Sequence, residues 1–480
     1  MNSHSASARP VSPTALNRRR FLGQSSCAGI SALPALSTLV NLATTSALAA
    51  ETGGGYRALV CLLLTGGNDS FNMLPPRGVA EHAEYAQVRQ DLALARGDLL
   101  PLNPSNAVGR ELGLHPSMPE LASLFESGRA AFIANVGTLL QADTRKEQVE
   151  NGSVPVPSGL YSHSDQVEQW QTSLPQTRGG TGWAGRMADL LHSVNADRRL
   201  SMNLSLSGSN AWQAGRNNAE YAITTEGAEG LHDYAPPGTP LADVPSIQTR
   251  VNSAAVDSQL ALVYRNLLQQ AFASSRRNAI EAAELFRAAT APELPATLTW
   301  PGSHLGDQLK RIARTIAGRD RLGVSRQTFF VEYGGWDHHD EVIANQQGML
   351  REVSEAIGAF QRALEVLGVA ENVVLFSVSD FGRSLSSNGR GSDHAWGGNA
   401  FVVGGAVKGR RIYGKYPALF ADNPLDIGRG RLIPTTSVDQ YFAELACWMG
   451  VSRTDLSTVL PNIGRFYDPM SASAPMGFLL

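Results

Sequence analysis

Three short runs of nearly continuous apolar, β-branched residues open directly into glycine-flanked acidic loops, and few folds accommodate that arrangement. Leu59–Leu64 runs into Thr65-Gly66-Gly67-Asn68-Asp69-Ser70. Phe329–Val331 runs into Gly334-Gly335-Trp336-Asp337-His338-His339-Asp340, and Val373–Val378 into Ser379-Asp380-Phe381-Gly382-Arg383. Runs this short, apolar at almost every position, read as strands covered on both faces. In open α/β sheets the ligand crevice lies outside the carboxyl ends of the strands. Three carboxylates are therefore expected to meet at one edge.

The rest of the chain alternates in the same way. In all, strands are predicted at Arg57–Leu64, Ala130–Val136, Leu200–Leu206, Gln327–Val331, Val373–Val378 and Ala400–Val403. Helices are predicted at Pro116–Ser127, with Ser117 and Glu120 as a capping box, and at Ser164–Ser173, Trp183–Val194, Gln248–Arg287, Leu305–Arg319, Glu341–Leu367 and Val438–Met449. The last carries a Ser437/Gln440 box and a Gly450 stop. The βα alternation gives an α/β fold, a mainly parallel sheet sandwiched by helices. With 43% hydrophobic and 17% charged residues in 480, there is ample material for a core. Residues 50–480 read as a single domain. The Gly-, Asn- and Pro-rich stretch from Gly208 and the polar helical region after it predict an inserted, mostly helical cap at about 208–300.

Residues 1–49 read as a twin-arginine signal. Arg18, Arg19 and Arg20 precede Phe21 and Leu22, a moderately apolar run follows, and Ala47-Leu48-Ala49 offers a cleavage site before Ala50. An uncleaved anchor is the alternative, but the apolar run is shorter than the ~20 residues of a spanning helix. Cleavage removes four arginines and no acid, moving the net charge from −3 to −7. Such a mildly acidic chain has no basic stripe for nucleic acid. The expected location is periplasmic or secreted, with no stable membrane span after cleavage. Twin-arginine export often accompanies cofactor loading before transport. The three cysteines, Cys27, Cys61 and Cys447, cannot build a Cys-rich metal site. Cys61 and Cys447 lie in apolar segments and read either as a pair or as two buried thiols.

Asp69, Asp337 and Asp380 are the three strand-end acids. A fourth loop, Ser392-Asp393-His394-Ala395-Trp396-Gly397-Gly398, adds an acid–histidine pair. Mixed carboxylate and imidazole shells suit zinc or manganese, and magnesium or calcium if carboxylates dominate. Taken singly, each acid has a structural reading: Asp69 caps a turn, Asp337 caps the helix near Glu341, or Asp380 pairs with Arg383. Their coincidence at strand ends favours a site. Of the adjacent His338 and His339, one is expected to be a ligand, and His339 can share a side with Asp337. His115 reads as packing or capping, and His82, His192, His232 and His304 as surface or core residues. Ser162, at the start of the helix through Val167 and Trp170, is the candidate nucleophile, with Ser164 second; a plain N-cap explains the same pattern. Asn68, His163 and Arg383 are the candidates for substrate contact. No GxSxG elbow, HExxH helix, Walker loop or GxGxxG fingerprint follows a strand.

At these residues the chain resembles the domain of unknown function 1501 family of twin-arginine-exported bacterial proteins. The matching stretches are Leu63–Pro75, Leu114–Phe125, Tyr161–Gln171, Gly334–Gln346, Ser377–Ser384, Asn388–Tyr413 and Thr436–Gly450. That family in turn resembles the alkaline phosphatase and sulfatase superfamily, whose α/β sheet holds one or two divalent metals beside a serine, threonine or modified cysteine nucleophile. The resemblance implies Asp69 as an early ligand, Asp337 and His339 as a second cluster, Asp380 as the acid after a central strand, His394 as the late histidine and Ser162 as nucleophile. Two departures stand out. Phe381 occupies the place of a histidine that follows the acid in alkaline phosphatases, and no sulfatase maturation motif of the C/S-x-P-x-R kind is present.

The expected function is an exported metal-dependent hydrolase-like protein acting on phosphate or sulfate esters of small molecules or glycans. A divalent metal (Zn, Mn, Ca or Mg) would polarise the ester while a serine or water attacks. The alternative is a non-catalytic periplasmic protein of the same fold that binds a glycan, an envelope component or a protein partner.

Overall fold

Strand β1 (Arg57–Thr65) is central to the sheet, and every residue from Ala58 to Leu64 is buried. An apolar run without alternation requires cover on both sides. The computed structural model describes residues 55–479 apart from 230, 232, 238 and 263–265. The signal segment and His232 lie outside the described residues. Eight further strands complete a nine-stranded sheet: β2 (Ala130–Gly137), β3 (Asn203–Ser205), β4 (Tyr221–Ala222), β5 (Arg326–Gly334), β6 (Val373–Ser379), β7 (Gly398–Gly404), β8 (Ile412–Gly414) and β9 (Thr436–Ser437). Their order is β8-β2-β7-β6-β1-β5-β3-β4, with β9 also paired to β2. Strand β7 runs antiparallel to both neighbours; the other pairings are parallel.

Among the described residues the α-helices of eight residues or more are α1 (Val79–Arg89), α2 (Pro119–Glu126), α3 (His163–Thr172), α4 (Trp183–Leu191), α5 (Ile247–Ala261), α6 (Leu267–Thr290), α7 (His304–Ala317), α8 (Val342–Val366) and α9 (Val438–Met449). Even-numbered residues of β1, Ala58 to Leu64, share a core with Phe125 of α2, Ile312 of α7 and Ile357 of α8. The opposite face is aromatic. Trp183 of α4 stacks on Phe442 of α9 with centroids 4.8 Å apart, and both rings meet Phe376 of β6. Trp212 closes the layer against Phe330 of β5. The alternation of strand side chains thus divides one apolar sheet between two helical layers, and the α/β class expected from the sequence is the class observed. Among the described residues no helix is long and apolar enough to cross a membrane.

Register sets the edge on which the loops meet. Thr65 pairs with Gly334 and Leu64 with Ser379, so β1, β5 and β6 end level and their acidic loops leave side by side. The turn after β1 needs glycine: Gly66 has φ +118°, and a Cβ there would lie 2.5 Å from the Asp337 nitrogen.

Some boundaries differ from expectation. Helix α2 begins at Pro119, because a residue preceding proline is held out of the helical region and proline takes the first turn. The Ser117/Glu120 box does not form, and Glu120 instead accepts a bond from Ser354 Oγ at 2.8 Å. The long helix expected over 248–287 is two, α5 and α6, with Ser246 and Asn266 side chains accepting from backbone N–H groups at the two starts. Within 208–300, β4 extends the central sheet, and Ala282, Ala283 and Phe286 of α6 enter the main core. The described residues belong to one compact unit, Gly53–Leu480. Cys61 and Cys447 are free thiols.

Candidate metal centre

Helix α3 starts on His163, and that position aims its ring at the edge where the acidic loops converge. Its Nδ1 lies 2.7 Å from Asp380 Oδ2. An ionised carboxylate only accepts, so the ring donates from Nδ1 and its Nε2 carries the lone pair. The same logic holds at two more histidines. His394 Nδ1 donates to the Tyr161 carbonyl at 2.8 Å, and His339 Nδ1 to Asp393 Oδ1 at 3.2 Å. Tyr161 holds a left-handed φ of 73°, a conformation uncommon outside glycine that occurs at ligand clamps.

The Nε2 atom of His394 faces those of the other two rings. His394 Nε2 stands 3.1 Å from His163 Nε2 and 3.0 Å from His339 Nε2. Neutral rings have no proton left for either line, because each has already placed its proton on Nδ1. Asp337 adds oxygen: its Oδ1 is 3.0 Å from His339 Nε2 and 3.2 Å from His394 Nε2, and its Oδ2 is 3.5 Å from His163 Nε2. One ligand atom each from His163, Asp337 and His394 lies within 4.8 Å of the others. Around a tetrahedral zinc with bonds of about 2.0–2.1 Å, neighbouring donors stand roughly 3.3 Å apart. The spacing and donor types fit a divalent transition ion, and each imidazole has the outer partner that metal-bound histidines usually have.

Electrostatics around the cluster set partial burial against charged and hydrogen-bonding neighbours. Burial works to raise the Asp337 carboxyl, but the Arg383 guanidinium outweighs it and holds the group below the ordinary carboxylate range. Burial raises Asp380, opposed by the bonds from the Gly66 N–H and from His163. The His394 ring is lowered, chiefly by burial. Asp393 is lowered: burial alone would raise it, but Asn388 and Arg429 outweigh that effect.

The structure brings Asp337, His339 and His394 together and sets Asp380 one hydrogen bond further out. His163, expected to touch substrate, stands among the converging nitrogens. Asp69 is 1% exposed and its carboxylate is engaged by Arg89 and by Ser392 Oγ at 3.2 Å. It stands at the N-cap position of the turn over Ser70–Met73, but its side chain makes no capping bond; only its carbonyl accepts, from the Asn72 and Met73 N–H groups. Arg383 pairs with Asp337 and not with Asp380, and its side chain has no exposed surface, so no face of it is open to a substrate. Asn68 is buried, receives a bond from Gln346 and lines a cavity of about 50 Å³ beside Asp380 and Phe381. Ser162 is the N-cap residue of α3, but its side chain makes no capping bond; its Oγ lies 3.3 Å from Ser164 Oγ. His338 is buried against Trp336, whereas His339 faces Asp337 and His394. His115 is also buried, with Nδ1 accepting from the Ser117 N–H at 3.1 Å and its pKa lowered by burial to about 4.

Sequence reading missed the Tyr161 carbonyl, Asp393 as a histidine partner and the Arg89 contact to Asp69. The first two join segments more than fifty residues apart, and no local spacing announces such a contact.

A family model described as a protein of unknown function (DUF1501) matches residues 56–452. No curated protein matches the chain. Among solved structures the chain is similar to Ps i-CgsB, at 11% identity over 87% of this chain and 78% of that one with a TM-score of 0.34. It is also similar to BT1596, a 2-O GAG sulfatase, at 10% identity over 83% and 71% with a TM-score of 0.30. A third is the C-terminal periplasmic domain of EcEptC from Escherichia coli in complex with Zn, at 10% identity over 88% and 93% with a TM-score of 0.30. These likenesses are too distant to speak for the site, whose reading rests on its own geometry.

Proposed function

We propose, from the premise that this chain belongs to the DUF1501 family of proteins of unknown function, that it is an exported, metal-dependent hydrolase-like protein acting on phosphate or sulfate esters. One observation carries the reading. Three imidazoles are each tied at Nδ1 to an acceptor, so the Nε2 lone pair of His394 meets those of His163 and His339, and all three lie against Asp337. Without a cation this arrangement is repulsive; with one it is a ready ligand set.

In this reading His163, His339, His394 and Asp337 hold the ion. Asp380, the Tyr161 carbonyl and Asp393 keep the ring protons on the outer nitrogens. A bound divalent ion supplies a Lewis acid that offsets the charge of an anionic ester. Arg429 stands at the rim, half-exposed and 2.7 Å from Asp393, a cationic group suited to meeting such an anion. Ser162, one residue from His163 and at the N-terminus of α3, is the proposed nucleophile. Export by the twin-arginine route, with the ion loaded before transport, belongs to the same proposal.

The test is the metal content of the mature protein, purified after native export, for wild type and His394→Ala. The expected result is about one equivalent of a divalent metal in wild type and its loss in the variant, followed by turnover in a screen of phosphate and sulfate esters. Absence of metal in wild type, with no thermal shift on adding any, would overturn the reading. Metal without turnover of any ester would leave the centre standing and turn attention to a glycan or protein partner.

A further inference from the structure

We infer that this centre takes a single divalent ion and that Arg383 acts beside it as a permanent second cation, a positioning residue for Asp337; the inference rests on the metal reading above. The Arg383 side chain is fully buried, yet each of its three nitrogens is engaged by protein. Nε donates to the Gly67 carbonyl at 2.9 Å, Nη1 to Ser392 O at 3.0 Å, and Nη2 to Gly66 O at 2.9 Å and Trp336 O at 3.1 Å. Nη2 also pairs with Asp337 Oδ1. Four carbonyl oxygens and a carboxylate from three loops therefore converge on one charge. An all-oxygen shell of this kind is what a hard cation takes, and here a guanidinium that cannot be deprotonated fills it.

The other groups that a second ion would draw on are largely engaged by protein. Asp69 is held at Oδ2 by Arg89 and Ser392, and only its buried Oδ1 is without a hydrogen-bond partner among the described residues. The two oxygens of Asp380 receive the Gly66 N–H at 3.0 Å and His163 Nδ1 at 2.7 Å. Phe381 follows Asp380 in the chain and offers no donor; its ring packs against His163 and His394 with centroids 4.9 and 4.6 Å away. Two buried arginines thus neutralise the carboxylates that a second ion would otherwise bind, and Arg383 fixes the rotamer of the carboxylate that the single ion shares.

The experiment strips the mature protein with a chelator and titrates it with Zn²⁺ alone, counting bound ions by mass spectrometry, for wild type, Arg383→Met and Arg383→Lys. The expected wild-type result is one equivalent. Loss of the outer contact should weaken Zn²⁺ affinity about tenfold or more in Arg383→Met, with part of the loss recovered in Arg383→Lys. Two equivalents in wild type would overturn the single-ion inference while leaving the metal reading intact, whereas none would overturn the metal reading itself. Wild-type affinity in a folded Arg383→Met would remove the positioning role. If that variant does not fold, the wild-type stoichiometry still decides.

Discussion

At Asp439, in the first turn of α9, burial works against charge. The residue is fully buried, with bonds from Ser173 Oγ at 2.6 Å and Ser437 Oγ at 3.1 Å. Burial pushes its pKa up to about 6 from 3.8, and the hydroxyls offset only part of the rise. The folded state therefore binds this proton more tightly than the unfolded chain. That contribution is fully present below about pH 4 and is lost as pH rises through about 6, at a cost on the order of 3 kcal/mol. Asp439→Asn should raise the melting temperature at pH 7 to 8, with the advantage shrinking to nothing near pH 4. A series of thermal melts checks this, and a pH-independent difference would contradict it. Single residues were the least legible part of the sequence. Asp69, Asp337 and Asp380 look alike there, each an acid after a strand, yet one is paired with Arg89, one faces three imidazoles and one holds a histidine from behind. The difference lies in partners brought from distant segments.

Elements were far more legible, because their signals are local. Helix α9 starts and stops where its caps stand: the Ser437/Gln440 box forms and Gly450 ends the helix with φ 109°. Ser437→Ala removes the Oγ that accepts from the Asp439 N–H at 2.9 Å and should cost about 1 kcal/mol in chemical denaturation, within the range for N-cap loss. An unchanged midpoint would show that the cap is redundant with packing. Signals went astray where two competed. Before α2, Pro119 overrode a good capping pattern, and between α5 and α6 the polar helical stretch continued in sequence through a place where the Asn266 side chain starts a new helix. Strand β3 is shorter than its apolar run, because β5 pairs with it only at Asn203–Ser205.

For the whole molecule, the two cysteines among the described residues bear on what holds it together. Cys61 is fully buried in β1, Cys447 is partly buried, and both are free thiols with pKa values raised chiefly by burial. The core must hold without a crosslink. For the chain from residue 50 onward, reductant should leave the melting temperature unchanged, and a thiol reagent should count two groups in denaturant and spare Cys61 in the folded state. A melting point that falls on reduction would contradict this. The centre itself is also a property of the whole chain, since its donors come from the start of α3, the loop after β5 and the loop before β7, and its outer partners from residues 161, 380 and 393.

By itself the sequence determined the α/β class, the strands that carry the acidic loops and the edge where those loops gather, because apolar runs, glycine turns and helix caps act over a few neighbouring residues. It also marked Asp337, His339 and His394 as residues of that edge. Only the tertiary structure decided that His163 joins the nitrogens, that Asp380 stands behind a ring, and that Asp69 and Asp337 each meet an arginine. Those outcomes depend on register between strands and on which way a ring or carboxylate turns once packed. Contacts between residues hundreds of positions apart leave no periodicity to read.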